Sequence, residues 1–129
     1  MKYLFSVIVT LLFITGTTFA QQQQQQYPII KPTFTYGQLD LALRLMEKIE
    51  LNGAEVDAFL EIKGLFYPAL VKGANEKKQL NDKITLDMNA KQADNVLAFL
   101  NRARLTGGEV QTFKEFKDAI FAAAAVLRK

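Results

Sequence analysis

The chain has 129 residues, with 16 Lys and Arg against 13 Asp and Glu and no cysteine or histidine. That length accommodates one compact domain, and its interleaved charges form no cationic stripe of the kind that grips nucleic-acid phosphates. Without cysteine there is neither a disulfide framework nor a lipid-modified cysteine, so the fold must rest on packing.

Residues 1–20 read as a cleavable signal peptide. Lys2 gives a positive start, Leu4 to Ile14 an apolar stretch, and Thr18-Phe19-Ala20 the small-residue exit that signal peptidase accepts. The apolar run is shorter than the ~20 residues that span a bilayer, so no stable membrane anchor is expected after cleavage. The destination is then periplasmic or extracellular, and the mature chain carries 15 Lys and Arg against 13 acidic residues. Residues 21–33 read as a flexible linker: six glutamines from Gln21 to Gln26, then a segment in which Pro28 and Pro32 favour an extended path.

The helical domain, residues 34–129, carries an internal duplication. Sliding the chain by 54 residues without gaps aligns Ile30–Lys72 with Ile84–Val126 and gives 12 identities in 43 pairs, where chance gives about three. Each copy holds two capping-box signatures, Thr35 with Gln38 and Asn52 with Glu55, then Asn89 with Gln92 and Thr106 with Glu109. They predict helices over Tyr36–Glu50, Gly53–Val71, Ala90–Arg104 and Gly107–Leu127. The apolar positions agree, with Leu39, Ala42, Leu43, Met46 and Ile49 on one face of the first helix and Val56, Phe59, Ile62, Phe66 and Leu70 on the second.

Pro68 is expected to kink or stop the second helix near Gly64 to Tyr67, and Gly73 to end it. The expected fold is all-α: a small four-helix bundle of two duplicated antiparallel hairpins, residues 34–72 and 88–129, joined by an exposed crossover over 73–87.

After residue 20 there is no Ser, Cys, His or Trp. The usual acyl-transfer nucleophiles and the commonest general base are therefore missing, and zinc or copper sites built on His and Cys are excluded. Two carboxylates can run glycoside hydrolysis when one sits in an apolar pocket, and Asp57 with Glu61, or Glu115 with Asp118, lie side by side at helical spacing. Both pairs fall among lysines on solvent faces, so they read as a salt-bridged surface. Thr106-Gly107-Gly108 at a helix start offers backbone N–H groups to an anion, but Glu109 in the same turn opposes one.

The expectation is an exported, non-catalytic interaction module that binds another protein or itself and needs no cofactor. Tyr67 and Phe121, related by the 54-residue shift and lying beside the main stripes, are the candidate interaction patch. The alternative is a carrier or sensor of an apolar small molecule, with Phe59, Phe66, Phe113 and Phe116 lining a cavity in the bundle core.

Overall fold

The computed structural model describes residues 27–127; the expected signal peptide and the glutamine tract lie outside them. In chain order the elements are strands β1 (Ile29–Ile30) and β2 (Thr33–Thr35), helix α1 (Tyr36–Met46), a 3-10 turn (Gly53–Glu55), helix α2 (Val56–Asn75), strands β3 (Lys83–Thr85) and β4 (Met88–Asn89), helix α3 (Ala90–Leu100), a second 3-10 turn (Gly107–Glu109) and helix α4 (Val110–Val126). The protein is mostly helical, with four helices and two small antiparallel sheets among the described residues.

The four starts follow the capping chemistry. The backbone N–H of the cap donates to the side chain three residues on at every one: Thr35 to Gln38 (3.0 Å), Asn52 to Glu55 (3.1 Å), Asn89 to Gln92 (2.9 Å) and Thr106 to Glu109 (2.9 Å). At α1 and α3 the helix N–H also returns the bond, Gln38 to Thr35 Oγ1 and Gln92 to Asn89 Oδ1. After Asn52 and Thr106 the chain first makes a 3-10 turn, so the α-helical stretch begins at Val56 or Val110.

Several expectations about boundaries and packing need correction. α1 and α3 end at Met46 and Leu100, about one turn early, because the chain tightens into i to i−3 bonds such as Lys48 N–H to Leu45 and Arg102 N–H to Phe99. α2 does not stop at Pro68 but runs to Asn75. Pro68 and Gly64 are both exposed, so a Gly64 carbonyl without its helical donor lies on the solvent face, where water can serve it. Gly73 is not a stop either: it is buried, and a Cβ there would overlap the Tyr36 ring. The end of α2 is instead closed by Lys77, in the left-handed region at φ 59°, with Lys77 N–H donating to Ala74 O and Lys78 N–H to Gly73 O. That is the Schellman pattern with lysine where glycine is usual.

Part of the segment read as a linker belongs to the packed domain. β1 pairs with β4 through Ile30 and Met88, and β2 pairs with β3 through Phe34 and Ile84. Ile30, Pro32 and Phe34 are buried. The prolines fit because only their carbonyls are used, Pro28 O accepting from Ala90 N–H and Pro32 O from Leu86 N–H.

These pairings interleave the two halves, so the hairpins do not stand as separate units. α1 lies against both α2 and α4, and α3 also touches both. The central position of α1 explains why Leu41 and Leu45 are buried as well as the expected Leu39, Ala42, Leu43 and Met46. Phe34 stacks on Phe116 at 4.6 Å between ring centroids, and Phe66 meets Phe116 edge-on at 6.1 Å. Around these rings Ile62, Met88, Val96, Leu100 and Ile120 complete the core.

Candidate functional site

The four phenylalanines considered as cavity lining occupy two different environments. Phe66 and Phe116 are fully buried and touch each other. Phe59 and Phe113 take equivalent but only half-buried places, Phe59 edge-on to Phe99 at 5.9 Å and Phe113 beneath the Lys117 ammonium. None of the four lines either of the two clefts described below.

The larger cleft, of about 640 Å³, lies just beyond the ends of α1 and α3, between Lys48, Ile49 and Glu50 on one side and Arg102, Ala103 and Arg104 on the other. Cations at helix C-termini offset the exposed carbonyls there. Arg102 is already engaged: its guanidinium donates to the Glu50 carbonyl at 3.1 Å and forms an ion pair with Glu55. The hydrogen bond from Arg102, reinforced by the Asn52 N–H, holds the Glu55 carboxyl below its ordinary range, and Glu55 raises Arg102 in turn. The cleft is thus a structural junction between the two halves, with Arg102 spent on holding it together.

The second cleft, of about 380 Å³, lies between the start of α1, Leu80 in the crossover, and Gly108 and Glu109. Here the weak anion-site candidate is filled from within. Glu109 accepts from Thr106 N–H at 2.9 Å and from Thr106 Oγ1 at 3.0 Å, and these bonds, with the fields of Lys48 and Arg44, hold its carboxyl below the usual range.

The carboxylate pairs are surface groups. Glu61 accepts from Gln92 at 2.7 Å and Glu115 from Gln38 at 3.2 Å, contacts that tie α2 to α3 and α4 to α1. Asp118 pairs with Lys114 at 2.6 Å along α4, and Asp57 is exposed. No pair lies in the apolar pocket that a raised pKa requires.

Tyr67 and Phe121 are 54% and 53% exposed, each on the outer face of its own helix. Val56, expected on the inward stripe, is exposed instead, because it opens α2 about a turn and a half before the helix reaches the core at Ile62; Leu60 and Val71 are exposed too, and with Tyr67 and Val56 they run along the side of α2 that faces away from Ile62 and Phe66. The spacing of 4, 7 and 4 residues signals one helical stripe, but Phe59, Ile62 and Phe66 mask it with a stronger stripe in the same segment. On α4 the equivalent face holds Val110, Lys114, Asp118, Phe121 and Ala125, so its apolar character is broken by an ion pair. Compared with known protein families, with functionally characterised proteins and with solved structures, the chain matches none.

Proposed function

We infer that the protein is an exported, non-catalytic interaction module built from two duplicated helical units, and that it works through the outer face of α2. The observation that carries this reading is the exposed stripe of Val56, Leu60, Tyr67 and Val71. A single exposed apolar residue needs no explanation, but a contiguous row on one helix face marks a surface that is covered at work. One further feature supports it: the residue types of most catalytic centres are missing after residue 20. Tyr67 is the natural anchor, since aromatic side chains dominate binding energy at such contacts.

The test is site-specific photo-crosslinking in the producing cells. A photoreactive residue at position 67 should give a discrete protein adduct, and one at Lys77, in the turn after α2, should not. Absence of any adduct from position 67 in correctly folded protein would overturn the reading. Export has its own readout: N-terminal mass spectrometry of the mature chain should begin at Gln21, and recovery of intact Met1 from a membrane fraction would contradict it.

A further inference from the structure

We propose that the outer face of α2 docks on the same face of a second copy of this chain, in an antiparallel, two-fold symmetric helix pair centred between Lys63 and Gly64; this rests on the interaction reading above and names its partner. The stripe is self-complementary. Leu60 and Tyr67 lie at equal distances either side of the point between Lys63 and Gly64, and so do Val56 and Val71. An isologous contact requires this, because each residue must meet its counterpart across the axis. Leu60 of one copy then faces Tyr67 of the other, and Val56 faces Val71.

The centre of the stripe is built for close approach. Gly64 is exposed, and a Cβ placed there would meet nothing within 4 Å inside the chain, so its own fold does not require glycine. Glycine in a helix interior costs about 1 kcal/mol relative to alanine; beside the crossing point it lets two backbones come close, with room for the water that serves its carbonyl in place of the missing Pro68 donor. Lys63 beside it is drawn off toward Glu47, at 3.6 Å.

Charge selects both the occupant and its direction. Asp57 near the start of the stripe and Lys72 near its end are both exposed, and neither has an ion-pair partner among the described residues. In the register that sets Leu60 against Tyr67, Asp57 of each copy falls opposite Leu70 of the other, two residues short of Lys72 and within reach of its long side chain, twice by symmetry, and the helix dipoles oppose favourably. A parallel pair would set like charges together. A 20-residue helix is about 30 Å long, so one helix pair lies at the small end of stable interfaces and dissociates in the micromolar range.

Sedimentation velocity of the protein in the form recovered from its producing cells, from about 1 to about 300 µM, should show a reversible monomer–dimer equilibrium. Tyr67→Glu should weaken the dimer about a hundredfold or more, because the loss counts at both ends of a symmetric contact. Asp57→Lys alone should weaken it about tenfold, by replacing two attractive rim pairs with repulsive ones. The double exchange Asp57→Lys with Lys72→Asp should bring it back to near the parent value, with helical content unchanged throughout. A chain that stays monomeric over the whole range overturns the proposal, as does a dimer indifferent to Tyr67→Glu or one the double exchange does not restore. If the chain is monomeric but position 67 still crosslinks to a different protein, self-pairing fails and the interaction reading stands; if neither is seen, both fail.

Discussion

Helices α2 and α4 have the same inward task and different outward faces. Each follows a capped 3-10 turn, and each begins with an exposed valine, Val56 or Val110. Each also accepts a glutamine from the first helix of the other half, Glu61 from Gln92 and Glu115 from Gln38. Each fills the core with a pair one turn apart, Ile62 and Phe66 in α2, Phe116 and Ile120 in α4. Outside, Leu60 and Gly64 of α2 stand where α4 has the ion-paired Lys114 and Asp118. Capping and burial act alike on both helices and so cannot explain that difference. A contact made by α2 and not by α4 can.

The largest effect that would test the shared inward task is in the core. Phe66→Ala or Phe116→Ala should each cost about 3–5 kcal/mol of unfolding free energy, measured by chemical denaturation. Phe59→Ala and Phe113→Ala should cost about half as much, because those rings are only half-buried. Equal losses at all four positions would mean that the two environments are not distinct.

Next in size is Gly73→Ala, which drives a methyl into the Tyr36 ring and should cost about 1–3 kcal/mol. The corresponding residues of the second half are Ala90 and Leu127, small and large exchanged, so the double change Tyr36→Ala with Gly73→Ala should recover part of the clash. Lys77→Gly should act in the opposite direction and stabilise by about 1 kcal/mol, since a left-handed backbone suits glycine.

The smallest effect is one of pH. Glu55 and Glu109 are held below their ordinary value of 4.5, Glu55 chiefly by Arg102 and Glu109 chiefly by Thr106. A lowered folded-state value means the folded protein binds its proton less readily than the unfolded chain. That contribution is therefore fully present above about pH 4.5 and is lost as pH falls below it. Glu55→Gln keeps a side chain able to cap Asn52 but removes the charge facing Arg102. It should melt lower than the parent at pH 7 and converge with it on acidification, as followed by thermal melts across pH.

Much of this fold is legible in the residues. The four starts are fixed within a few residues by side chains that can satisfy free N–H groups, and those bonds form at all four. Helix ends are less legible, because the local signals at Pro68 and Gly73 yield to packing: α2 continues past both and closes only at Lys77. The strands are invisible to periodicity, since two- and three-residue segments find partners 48 to 60 residues away. Tyr67 stands out in the sequence as an aromatic residue off the core stripe. Leu60 and Val71 become part of its surface only once burial shows which side of α2 the core leaves free.

The comparison of the two helices is tested most directly by giving α2 the residue α4 carries. Leu60→Lys places on the α2 face, one turn from its centre, the lysine found at the equivalent position 114, and the surface site should leave stability within about 0.5 kcal/mol. Sedimentation velocity of this variant beside the parent should show a monomer at concentrations where the parent pairs. A variant that self-associates as the parent does would contradict the assignment of this face.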